Sequence, residues 1–128
     1  MKTLIIFFVI CNIVVFGQSP NKIDSVFKHY FKALDLELSK KKNLDKNNLY
    51  FDSITLDDGE TIFVNKYANE AMSFFQRLTK INAPAKYTGQ SYASFIDKKT
   101  LKKWKHWYIE NRKNIRWCDK EKKPHLIK

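Results

Sequence analysis

The sequence predicts a mainly α-helical domain, three helices with one short β-hairpin between the first and the second, with an α+β arrangement as the alternative. Three observations lead there. Three stretches repeat apolar residues at three- and four-residue steps, the spacing of one helix face. Between the first two lies a run of strand-favouring residues broken by Asp57-Asp58-Gly59, a turn signal. Beyond the first seventeen residues there is one cysteine, Cys118, so the fold rests on an apolar core and not on an internal disulfide.

Ser19-Pro20 is a helix start, with Ser19 as N-cap and Pro20 at the first helical position. Ile23, Val26, Phe27, Tyr30, Phe31, Leu34 and Leu38 then place one apolar stripe on a helix from Asn21 to about Lys40. Lys40 to Asn48 has no periodicity and reads as a loop. Strands are expected near Tyr50–Leu56 and Glu60–Val64, rich in Ile, Thr, Phe and Val; an irregular connector is the alternative. Asn65 caps a second helix that carries Tyr67, Ala71, Phe74, Phe75, Leu78 and Ile81 and stops at Asn82-Ala83-Pro84. A loop is expected from Asn82 to Ile96, flexing at Gly89 and pinned to the core by Tyr87, Tyr92 and Phe95.

Asp97 opens the third helix, where a carboxylate accepts an orphan N–H and suits the positive helix end. Ile96 and Leu101 fit a hydrophobic staple. Leu101, Trp104, Trp107 and Tyr108 form the apolar stripe, and Lys99, Lys102, Lys103, Lys105 and His106 cover the remaining surface. Asn111 or Asn114 ends the helix, since Asn tolerates the left-handed conformation. Ile115-Arg116-Trp117 is expected to fold back onto the core, which would hold Trp117, and residues 120–128 to fray as a basic flexible tail.

The first residues have a different character. Met1-Lys2 is followed by an almost wholly apolar run from Leu4 to Phe16, then Gly17 and the polar Gln18-Ser19. This is the layout of a secretory signal, and the run is shorter than the roughly twenty residues of a spanning helix. Val15 and Gly17 suit cleavage before Gln18, so residues 1–17 are expected to leave and residues 18–119 to form a single domain. A retained membrane anchor is the alternative. Lipidation at Cys11 is disfavoured by the bulky Ile10 before it. The expected location is the periplasm or the exterior.

The chain carries a net charge of +11. Gln18 to Asp97 has a net +1, and Lys98 to Lys128 a net +9. Such asymmetry points to an anionic partner, or to a lysine face that serves solubility. Lys99, Lys102, Lys103, Lys105, Arg112, Lys113 and Arg116 are the candidate surface. The partner expected is an acidic protein or an anionic envelope component; an export signal argues against intracellular nucleic acid. No small-molecule substrate is evident.

Enzyme chemistry finds little support. His29, His106 and His125 show no second ligand at the usual metal spacing, so no metal or cofactor site is expected. There is no G-x-S-x-G. Cys118 beside a mobile tail is a poor place to hold a nucleophile, and reads instead as a half-buried side chain or an intermolecular disulfide partner. Asp57, Asp58 and Glu60 are acids of a turn. After residue 17 the only glycines are Gly59 and Gly89, so no phosphate-cradling loop is present.

From Phe74 to Trp117 the chain reads FFQRLTKI, then Tyr87-Thr88-Gly89, then LKKWKHWYIENRKNIRW. This resembles a C-terminal module of small, mostly uncharacterised exported bacterial proteins, also found after HEAT-like helical repeats. The resemblance covers a little over a third of the chain. Its most specific part is the Trp-x-x-Trp-Tyr-x-x-Asn spacing of Trp104, Trp107, Tyr108 and Asn111. It implies a folding unit in which a helix ends in a Leu-Thr-Gly-like turn; it implies no catalytic residues. The sequence departs from it at Lys80, where glycine is usual.

The expectation is therefore a small exported interaction protein without enzymatic activity. An immunity or inhibitor protein against an exported toxin, and a secreted binder of extracellular DNA or acidic polysaccharide, are the alternatives.

Overall fold

The apolar stripe that begins at Ile23 winds into helix α1, Ser19–Ser39. In this computed structural model the described residues are 19–39 and 47–127. The expected signal peptide, the capping side chain of Ser19 and most of the Lys40–Asn48 loop lie outside the described residues and side chains. After α1 come β1 (Phe51–Thr55), β2 (Thr61–Asn65), α2 (Ala68–Thr79), β3 (Ala85–Tyr87), β4 (Tyr92–Ser94) and α3 (Lys98–Asn111). A 3-10 turn at Arg112–Asn114 then leads into β5 (Ile115–Cys118) and β6 (Lys123–Leu126).

The fold class differs from the expectation. Three helices are present, but so are three separate two-stranded antiparallel sheets, β1-β2, β3-β4 and β5-β6, which makes the architecture α+β. The two additional hairpins have strands of three and four residues, too short for alternation to register as a period. Residues Asn82 to Ile96, expected as a pinned loop, instead hold the β3-β4 hairpin, and Tyr87, Tyr92 and Phe95 are exposed. Tyr87 pairs with Tyr92 across the strands at 5.3 Å between rings, so the two aromatics cover each other and not the core. Gly89, at φ 92°, supplies the left-handed turn between them. The segment expected as a tail carries β6. Its Pro124 lies opposite Trp117, tolerated because both strands of a two-stranded sheet are edges.

The described residues fall into two compact units. In the unit of residues 29–110, an aromatic stack forms the centre. Phe31 stacks on Phe75 at 4.6 Å, and Phe75 on Trp104 at 5.2 Å; Phe75 and Trp104 are fully buried, with Leu34 and Ala71. Such ring pairs add about 0.5–1.5 kcal/mol each beyond their buried area. Asn65 fixes the chain between β2 and α2. Its Oδ1 accepts the backbone N–H groups of Tyr67 and Ala68, at 3.0 and 3.1 Å, and its Nδ2 donates to the Ala33 carbonyl of α1 at 2.9 Å. The side chain is buried, so all this polarity is satisfied internally, as burial requires.

α2 ends at Lys80, which takes the left-handed conformation at φ 61° and donates its N–H to the Gln76 carbonyl at 3.0 Å. This is the conformation that glycine usually supplies at a helix end. Thr79 Oγ1 donates to the Phe75 carbonyl at 2.7 Å and accepts the Ile81 N–H at 3.1 Å. Gln76 Oε1 accepts the Ala83 N–H at 2.8 Å.

The other unit joins the described residues up to 28 with those from 111 onward. Ile23, Phe27, Ile115 and Pro124 are its buried apolar residues. Arg112 bonds Asp24 at 3.1 Å, and Lys22 Nζ lies over the Trp117 ring at 6.0 Å.

Candidate functional site

The position of α3 follows from its first residues and its tryptophan. Asp97 Oδ1 accepts the Thr100 N–H at 2.7 Å. Bonding from the Thr100 side chain and backbone, with Lys99 and Lys103 nearby, holds the Asp97 carboxyl below its ordinary range. Farther along, Trp104 Nε1 donates to the Ile81 carbonyl at 3.1 Å, so the turn after α2 anchors the helix. Leu101 and Trp104 are buried, while Trp107 and Tyr108 are half-buried. Tyr108 meets Phe31 edge-on at 6.0 Å.

With this face committed inward, the lysines turn outward by helix geometry. Lys99, Lys102 and Lys103 are exposed, and among the described residues none of them is in an ion pair with a carboxylate. Lys105 is held differently: its ammonium bonds both Asp35 oxygens, at 2.9 and 2.8 Å, and lies over the Phe31 ring. Beside this face a recess of about 610 Å³ opens between α1 and α3. Leu38 and Leu101 give it an apolar floor; Lys98, Lys102 and Lys105 give it a positive wall, relieved by Asp35. A recess of this size is in the range of small-ligand and peptide side-chain sites. Lys98 and the recess were not singled out from the sequence, because the meeting of Leu38 with Leu101 is tertiary.

The remaining basic candidates, Arg112, Lys113 and Arg116, belong to the other unit. Arg112 is paired with Asp24, and Arg116 Nη1 donates to the carbonyls of Lys113 and Ile115. Lys113 is exposed there. Trp117 is half-buried on β5.

Two further clusters carry polar chemistry. On α1, Tyr30 donates to Glu70 Oε1 at 2.5 Å, and burial together with that bond pushes its hydroxyl up to about 12. Next to it His29 lies 3.2 Å from the Tyr50 hydroxyl, with the Tyr67 ring edge-on at 4.7 Å. This packing makes His29 an aromatic-cluster residue. The second cluster brings together residues that the sequence reading kept apart. Cys118, Glu121 and His125 bring a thiol, a carboxylate and an imidazole within 4.8 Å of one another. The available signal was Cys-x-x-Glu-x-x-x-His around a turn, visible only once β6 is recognised as a strand. Glu121 is held below the ordinary carboxylate range, chiefly by its bond to Lys123.

Comparisons with family models, curated proteins and solved structures give no match to this chain. Among the described residues, no helix is long and apolar enough to cross a membrane.

Proposed function

We propose that the chain is a small exported protein of the bacterial cell envelope that acts by binding and not by catalysis, and that the recess beside α3 receives an acidic segment of a partner protein. The observation that carries this reading is the pairing of an apolar floor, Leu38 and Leu101, with the lysine wall of Lys98, Lys102 and Lys105. An acidic segment with one aliphatic side chain would complement both. A plain solubilising lysine face needs no recess, and a nucleic-acid groove would present aromatic rings for stacking, whereas the residues that line the recess carry none. The apolar, basic-flanked start of the sequence supports export.

The test is fluorescence-polarisation binding of acidic peptides that contain leucine, of acidic peptides without an apolar residue, and of single-stranded DNA. The leucine-containing peptides are expected to bind best. The double variant Lys98→Glu with Lys102→Glu should weaken them by at least about tenfold, as should raising the salt from about 0.1 M to about 1 M, which shortens the Debye length from about 10 Å to about 3 Å. Equal binding by the double variant, or preference for DNA, would count against the reading.

A further inference from the structure

The β5-β6 hairpin carries three potential metal ligands that the proposed binding role does not use. The ladder pairs Arg116 with His125 and Cys118 with Lys123. Alternate residues of a strand share a face, so Cys118 and His125 are diagonal neighbours on the same one, within reach of each other. Glu121 comes from the turn that joins the strands. All three donor atoms lie within 4.8 Å of one another. A tetrahedral zinc ion, with bonds of about 2.0–2.3 Å, sets its ligands about 3.5 Å apart. The closing movement is thus about 1 Å, within the freedom of side-chain rotation.

His125 gives the cluster its direction. Its Nε2 is shielded from solvent and makes no well-directed hydrogen bond, although Glu121 Oε2 is 3.0 Å away. A shielded ring nitrogen whose carboxylate neighbour is poorly aligned keeps bonding capacity to spare. Lys123 Nζ sits on Glu121 Oε2 at 2.6 Å, so a cation already bonds the same carboxylate oxygen that neighbours His125 Nε2.

We infer that Cys118, Glu121 and His125 form a zinc site with three protein ligands and a fourth position open to water or to a group from outside. Thiolate and imidazole select a borderline-soft ion such as Zn²⁺ over Mg²⁺ or Ca²⁺. Binding converts the Cys118 thiol to a thiolate, releasing one proton to solvent, and joins sulfur, carboxylate oxygen and Nε2 to the metal. No electron is transferred. The two ligand charges balance the ion, and Lys123 gives up its bond to Glu121.

The experiment is titration of the purified protein with Zn²⁺ against a chromophoric chelator, and with Co²⁺ followed by absorption. One ion per chain is expected, with a thiolate-to-cobalt charge-transfer band in the near ultraviolet. Cys118→Ser should abolish the band. Cys118→Ser and His125→Ala should each weaken zinc by more than about 100-fold, since even outer-shell partners are worth 10–100-fold. Lys123→Met, which leaves all three ligands in place, should tighten zinc binding; this arm does not depend on whether a ligand variant folds. An undiminished band in Cys118→Ser, one ion per two chains, or weaker binding by Lys123→Met would overturn the assignment.

Discussion

Where α2 ends, the polar groups that leave the helix meet fixed partners: Thr79 bonds Phe75 and Ile81, Gln76 bonds Ala83, and Trp104 of α3 reaches the Ile81 carbonyl. The β1-β2 hairpin, in the same unit, satisfies its backbone through its own ladder and its adjoining turns, where the Phe51 N–H reaches the Asn48 carbonyl and the Glu60 N–H reaches Asp58 Oδ1. Ile54, Ile62 and Val64 share one face of that ladder and stay exposed, at 46%, 38% and 43%. The first region withdraws its largest side chain wholly from water; the second leaves branched apolar side chains in it. Stability is therefore concentrated where α2, α3 and their rings meet, and the hairpin hangs on that centre through Asn65.

The sharpest way to break this contrast is Trp104→Ala. It removes the innermost ring, its stacking on Phe75 and the bond to Ile81, and should cost about 3–5 kcal/mol in urea unfolding. A loss below 1 kcal/mol would show that the stack is not the centre. Lys80→Gly should act in the opposite direction. A lysine at φ 61° is strained and a glycine there is not, so the variant should gain about 1 kcal/mol and raise the melting temperature by several degrees. Destabilisation would mean that the lysine side chain has a role that outweighs its backbone strain. The smallest effect is expected from Ile54→Thr combined with Ile62→Thr, within about 0.5 kcal/mol of the parent. A large loss there would mean that the exposed face packs against something in solution, and the contrast would fail.

The periodic parts of the chain were readable before the structure. The stripe from Ile23 to Leu38, the set from Ala71 to Leu78, and Leu101 with Trp104 all lie on the helices they imply, while Tyr67 and Ile81, expected on the second helix, flank it; a long amphipathic repeat has few other solutions. Asp97 stands just before α3 and accepts the expected N–H bond, whereas Asn65, expected as the cap of α2, is the last residue of β2; Tyr67 holds the cap position, and Asn65 accepts the N–H groups of Tyr67 and Ala68 from one turn earlier. The hairpins of Ala85–Ser94 and Ile115–Leu126 were not readable. Their strands are short, their residues are mostly exposed, and lysine, proline and histidine in β6 read as a polar end. The lysines of α3 were legible as a face; the recess beside them was not, since Leu38 and Leu101 are far apart in sequence. The Cys118 cluster was hidden for a related reason. Cross-strand neighbours are set by register, and register appears in no linear spacing until the turn is located.

Because each of the three sheets has two strands among the described residues, every ladder closes between residues joined by a single turn, the widest pair being Phe51 with Asn65. Short-range closure of this kind costs little chain entropy and proceeds quickly. The long journeys fall to α1, where Asp35 must find Lys105, Phe31 must find Tyr108 and Asp24 must find Arg112. The kinetics of self-assembly are thereby divided: each hairpin closes as a local event, and the meeting of α1 with the residues of α3 and beyond is the step that waits on a long loop to close.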